Sequence, residues 1–252
     1  MKDFSFNGKV FLGNRLSNGK PGKLRWVDDA STLGIQLTTD KEERQESWSG
    51  QRLTSVTIPK AKKARFTLVL NAATAANLAL ALQTEAQAVT TGSVTGEALP
   101  PGLVAGDVVM LDHPRISALT LTDAAKPTPA ALVLGTHYRI ESAPGGLIEI
   151  LNPATLVQPF SAAYTHAAYV NLAMFKLNNV ERYGVLDGIN TVDDERVRVT
   201  VYRMKFDPVS DMSLITDSLG NLNLAGDILF DATNFQNANL GGFARVQLPE
   251  EV

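Results

Sequence analysis

The sequence predicts a mainly β fold of the α+β kind: an antiparallel β-sandwich or barrel with one flanking helix at about residues 72–88. Three observations predict it. Apolar residues recur mostly at a spacing of two, the period of a strand with one buried face. Glycine- and proline-bearing turn signals punctuate these runs at short intervals. One alanine-rich stretch carries helical spacing, which argues against alternating β-α-β units. At 252 residues, 44% hydrophobic and 19% charged, the chain can bury a sizeable core and is not globally disordered. All-β domains often reach about 200–250 residues as one unit. The expected organisation is one domain over 1–252, with an inserted β-subdomain at about 96–165.

At the amino end, Phe4/Phe6 and Val10/Leu12 bracket Asn7-Gly8, which predicts a hairpin turn because both turn positions tolerate positive φ. The segment from Gly13 to Pro21 has a superficial likeness to a phosphate loop. It has one residue too many between its glycines, and Pro21 where a Ser or Thr is needed, so it reads as a hairpin loop. Residues 38–55 are strongly polar around Trp48 and form a connection longer than a tight hairpin requires. Ala64, Phe66, Leu68 and Leu70 alternate with Arg65, Thr67 and Val69 as a half-buried strand. Asn71 is placed to cap the helix, with Leu78, Leu82, Ala86 and Val89 on one face.

Shorter strands are expected at 108–111, 116–121, 137–141, 147–151, 164–170, 222–230 and 243–248, and an exposed loop at 124–129. Pro100-Pro101-Gly102, Pro144-Gly145-Gly146, Asp187-Gly188 and Gly241-Gly242 read as turns. Val197, Val199 and Val201 alternate with Arg196 and Arg198, whereas Arg203 and Lys205 have the parity of the valines. A valine face that stays buried then demands a bulge or a change of strand partner near Val201 and Tyr202. A short helix near 209–219 fits Met212, Ile215 and Leu219 no better than a turn does.

Catalytic constellations are absent from the pattern. No cysteine is present, which removes disulfides, thiolate metal sites and thiol catalysis. His113, His137 and His166 lie far apart in sequence, and His137 with Glu141 on a strand is too widely spaced for shared ligation. Asp193-Asp194-Glu195 could hold a hard cation, but no calcium-loop spacing surrounds it and it reads better as a solvated acidic loop. No nucleophile elbow or dinucleotide-binding fingerprint occurs. The expectation is a protein that is not an enzyme and uses no cofactor and no metal.

The longest apolar run is five residues, against about 20 for a membrane-spanning helix, and Met1–Phe6 lacks the apolar core of a secretory signal. The net charge of −3 disfavours a nucleic-acid-wrapping face. It is unevenly spread: residues 1–70 carry 13 Lys/Arg and 7 Asp/Glu, and residues 71–252 carry 10 and 19. Two readings fit this asymmetry, unequal solvated faces or complementary surfaces on neighbouring subunits. The same pair of readings applies to Arg196 and Arg198.

The order of six segments is similar to a known family. Glu46-Ser47-Trp48-Ser49-Gly50-Gln51-Arg52-Leu53, then Lys63-Ala64-Arg65-Phe66-Thr67-Leu68-Val69-Leu70, then Asn77-Leu78-Ala79-Leu80-Ala81-Leu82 resembles the front half of the major tail tube proteins of long-tailed, siphovirus-type bacteriophages. Gly135-Thr136-His137-Tyr138-Arg139-Ile140 with Gly146-Leu147-Ile148-Glu149-Ile150 resembles the middle of that family. Asp187-Gly188-Ile189-Asn190, Phe206-Asp207-Pro208 and Gly241-Gly242-Phe243-Ala244-Arg245-Val246 resemble its closing segments.

The resemblance implies a structural virion protein of the tail tube fold, assembled in the bacterial host cytoplasm and located in the phage tail. Its partners would be itself, as hexameric rings stacked into a tube, and other tail proteins: tape measure, tail terminator and baseplate or tip. Genomic DNA would pass through the lumen without sequence-specific binding, and no membrane would be involved. The candidate inter-ring or subunit contact comprises Lys41, Glu42, Glu43, Arg44, Glu46, Trp48, Arg52, Arg196 and Arg198, with Trp48 as an aromatic anchor rimmed by charge. The alternatives are a phage tail-terminator or capsid-decoration protein, or a ligand-binding β-sandwich module. Two tryptophans and five tyrosines leave the last of these little material for a flat aromatic platform.

Overall fold

A computed structural model describes residues 3–153 and 155–249. Met1 and Lys2, read above for a secretory signal, lie outside the described residues. Strand accounts for 49% of the chain and helix for 4%, and every pairing between named strands is antiparallel, so the protein is mainly β. It divides into two compact units, one formed by residues 1–86 with 172–252 and the other by 87–171. The insertion thus begins and ends further out than the 96–165 expected.

The first unit is an eight-stranded sheet. Its strands are β1 (Phe6–Arg15), β2 (Pro21–Trp26), β3 (Ala30–Gln45), β4 (Thr54–Leu70), β13 (Glu181–Asn190), β14 (Arg196–Phe206), β15 (Leu222–Ile228) and β16 (Ala244–Gln247). Their spatial order is β2-β1-β13-β14-β15-β4-β3, with β16 alongside β14. The alternation expected in β4 holds: Ala64, Phe66, Leu68 and Leu70 are buried and Arg65 and Thr67 exposed. These side chains join Val10, Leu12, Val201, Met204, Phe206 and Leu224 in one core, where Phe66 meets Phe206 edge to face at 4.9 Å. The parity break in β14 is resolved as its residues require. Val199 and its neighbours pair β16, Met204 to Phe206 pair β15, and the register against β13 shifts between Arg182 and Gly184.

Two expected turns are not turns. Asn7-Gly8 lies inside β1 and Asp187-Gly188 inside β13, where Gly8 faces Gly188 across the ladder. A Cβ on Gly8 would stand 2.3 Å from the Asp187 carbonyl oxygen, so glycine serves close backbone approach there rather than positive φ.

The helix is also shorter than expected. α1 spans Ala75–Ala81, its N-cap is Thr74 rather than Asn71, and Leu80 and Ala81 pack on the sheet core. Gln83 adopts φ 49°, and Thr84 N–H donates to the Ala79 carbonyl, a left-handed stop that alanine content does not reveal. Val89 then belongs to a strand. No helix forms at 209–219; that stretch is irregular, while a four-residue helix, α2 (Ala232–Phe235), follows β15.

The second unit holds the remaining strands: β5 (Gln87–Val89), β6 (Gly92–Ala98), β7 (Val108–Met110), β8 (Ile116–Thr122), β9 (Tyr138–Ser142), β10 (Leu147–Ile150), β11 (Ser161–His166) and β12 (Tyr169–Asn171). They form sheets β7-β10-β9, β6-β11-β8 and β12-β5. Leu121, Ile148, Ile150, Phe160 and Ala162 make its own fully buried core. The ends of the insertion meet, because Gln87 pairs with Asn171.

Candidate assembly surface

The polar stretch at 38–55 is mostly strand, not loop. β3 and β4 remain paired from Ala30/Leu70 out to Gln45/Thr54, leaving only residues 46–53 as a turn. β15 accompanies β4 only from Ala64 to Leu70. Beyond that point the hairpin continues as a two-stranded arm, and all of residues 35–45 and 47–63 are exposed. Ten residues from Ala64 to Thr54 give an arm of about 30 Å at ~3.3 Å per residue.

Register fixes which arm residues share a face. Glu42 opposes Ile58 and Arg44 opposes Val56 on one face, while Lys41 opposes Pro59 and Glu43 opposes Thr57 on the other. Lys60 pairs with Glu42 at 2.7 Å and Lys63 with Asp40 at 2.5 Å; both are exposed, where such pairs contribute about 0–1 kcal/mol. Leu37, Val56 and Ile58 stand in solvent on this arm. A lone two-stranded ribbon is marginal in water, so this one is not explained by its own contacts.

The tip is built by Glu46. Its carboxylate accepts hydrogen bonds from the Trp48 and Ser49 backbone N–H groups at 2.9 Å, from Leu53 N–H at 3.3 Å and from the Ser49 hydroxyl. The hydroxyl bond is the largest influence holding the Glu46 carboxyl down at about 2. Gly50 and Arg52 take positive φ, so Arg52 shapes the turn through its backbone as well as presenting its charge. Trp48 is thereby held 86% exposed and does not pack on its own subunit.

The candidate residues thus fall into two places. Lys41, Glu42, Glu43, Arg44, Glu46, Trp48 and Arg52 lie together on the arm. Arg196 and Arg198 begin β14, separated from β3 by β15 and β4 in the sheet order, and are not brought onto the arm. Arg198 opposes Asp187 and its Nε donates to Gln247 Oε1 at 2.8 Å, so part of its charge is used within its own sheet. The pattern reading missed Leu37, Val56 and Ile58; the alternation Val56/Ile58 was the available signal, obscured by the polar residues around it.

The acidic triplet is a turn. Asp193 Oδ1 accepts from the Asn190 amide and from Glu195 N–H, and Asp194 sits at φ 59°. Among the described residues no group of three or more His, Asp or Glu is arranged to hold a metal ion. His113 and His166, distant in sequence, stack face to face at 4.0 Å, and His113 Nδ1 lies 3.0 Å from the Tyr169 hydroxyl. Parallel rings point their nitrogen lone pairs side by side, so the pair packs without converging on one ion. Among the described residues, no helix is long and apolar enough to cross a membrane.

Residues 3–247 match a family described as Protein of unknown function UCP028589, and the chain belongs to that family. No curated protein matches the chain.

Proposed function

We propose that this member of the UCP028589 family is a structural, self-assembling virion protein: a subunit of the phage tail tube, forming stacked hexameric rings that conduct the genome during ejection. One observation carries the reading. The β3–β4 arm leaves the sheet as a two-stranded ribbon exposed on both faces and ends in an exposed tryptophan fixed by a dedicated carboxylate. An edge strand of 16 residues with free N–H and C=O groups is an aggregation hazard in a monomer and a ready contact in a closed ring. Stacking is a heterologous contact between unlike ends of a subunit, and an arm on one side supplies that asymmetry. The role is one of assembly, not catalysis.

The excess of acid over base in residues 71–252 favours a tube lumen of negative or near-zero potential. Each phosphate neutralised by Lys or Arg would add salt-dependent affinity and slow DNA passage. Electron microscopy of the purified protein tests the proposal. Tubes with a regular ring repeat are expected. Single rings would make it a terminator, trimers a decoration protein, and monomers that bind glycans a ligand-binding module; each of these outcomes overturns the tube assignment.

A further inference from the structure

The connection from β14 to β15 has a composition the fold does not account for. Between Lys205 and Arg245 the chain carries five Asp and no Lys, Arg or Glu. Three of the five are used at home: Asp207 and Asp227 on Arg65, and Asp231 on Arg15. Asp211 and Asp217 are exposed and make no ion pair among the described residues. Beside them Leu214, Ile215 and Leu219 are 80%, 97% and 101% exposed. Upstream, Val209 and Met212 pack against the sheet core and Val209 N–H donates to the Ala81 carbonyl, so the connection is anchored before it projects these side chains. Three fully solvated aliphatic residues within six positions, flanked by acid, describe an interaction element rather than a solvated linker.

The same molecule carries a surface of opposite character. Where β3 and β4 run beyond β15, Lys41 and Lys62 lie on one face of the arm with the exposed Leu37, because Leu37 opposes Ala64, Thr39 opposes Lys62 and Lys41 opposes Pro59. Pro59 removes a backbone donor there, and the lysines discourage indiscriminate strand addition, so side-chain docking suits this stretch better than a new strand. Lys62 makes no ion pair among the described residues, leaving a cation for Asp211 or Asp217 of another molecule. We propose that the 207–221 connection of one subunit docks on this face of the arm in a second copy of the chain. Its aliphatic side chains would cover Leu37, and its aspartates would face Lys41 and Lys62. The inference rests on the self-assembly reading and adds a second contact to it.

The absence of cysteine gives a direct test. Full-length Leu219→Cys and Leu37→Cys are prepared separately, mixed and oxidised, so that a disulfide between the two sites can form only between molecules. The expected result is a mixed dimer well above the level given by Leu219→Cys with Thr128→Cys on the second unit. In parallel, Ile215→Asp/Leu219→Asp is expected to raise the concentration needed for self-association about tenfold or more, as loss of an anchoring side chain does. Its thermal unfolding should match wild type, because these side chains are solvated already. Asp217→Lys should weaken association and Lys62→Glu should restore it in that background, which a merely structural defect would not do.

Wild-type assembly with no cross-link above control and no effect of either substitution overturns the docking while leaving self-assembly standing. A wild-type chain that stays monomeric at all concentrations overturns both.

Discussion

Trp48 projects from a turn whose geometry is set by its neighbours, so its removal costs the monomer little. Trp48→Ala is expected to leave the thermal midpoint unchanged and to weaken polymerisation about tenfold or more, checked by sedimentation. Glu46 gives a pH signature for the same tip. Its folded pKa of about 2 lies below the ordinary carboxylate value, so its bonds to the tip are favoured above that ordinary value and lost as pH falls through about 2. In a Trp26→Phe background, Trp48 fluorescence should shift with a midpoint near 2, and Glu46→Gln should abolish the transition. Asp231 is a different kind of carboxylate. It is fully buried, holds Arg15 through two bonds of 2.7 and 3.0 Å, and caps α2. The hydrogen bond from Arg15 is the leading cause that lowers its pKa, so its stabilisation is present above the usual Asp range and lost in acid. Asp231→Ala strands a part-buried cation and an uncapped turn. About 3–5 kcal/mol of stability should be lost, read by denaturant unfolding at pH 7.

At the scale of elements, local chemistry and pairing partners made separate contributions. The period of two placed β4 and β14, and the parity break between Arg198 and Arg203 announced the change of partner that β15 and β16 provide. Asn7-Gly8 and Asp187-Gly188 misled because a glycine after Asn or Asp signals positive φ and close strand approach alike. Only knowing that β1 lies against β13 separates the two. Gly8→Ala is therefore expected to destabilise the first unit by about 2 kcal/mol through backbone overlap, whereas a turn glycine at ordinary φ would tolerate it. Helix α1 was overextended because alanine favours continuation and says nothing about Gln83, whose left-handed backbone is held in part by its side-chain bond to the Phe206 carbonyl.

At the scale of the molecule, the insertion at 87–171 has its own core and its ends are paired through Gln87 and Asn171. Replacing it by a short Gly/Ser linker should leave the first unit folded. Cooperative unfolding and an antiparallel-β circular dichroism spectrum would show this, and aggregation of the shortened chain would contradict it. The sequence by itself determined the β class, the alternating faces, the lack of thiol chemistry and the uneven charge, because each follows from side-chain type and a fixed local period. Tertiary structure alone decided that 38–55 forms a paired arm instead of a loop, which acids are consumed by Arg15 and Arg65, and which aliphatic side chains remain in solvent. Those outcomes depend on where β15 stops accompanying β4, a long-range pairing that residue spacing does not encode.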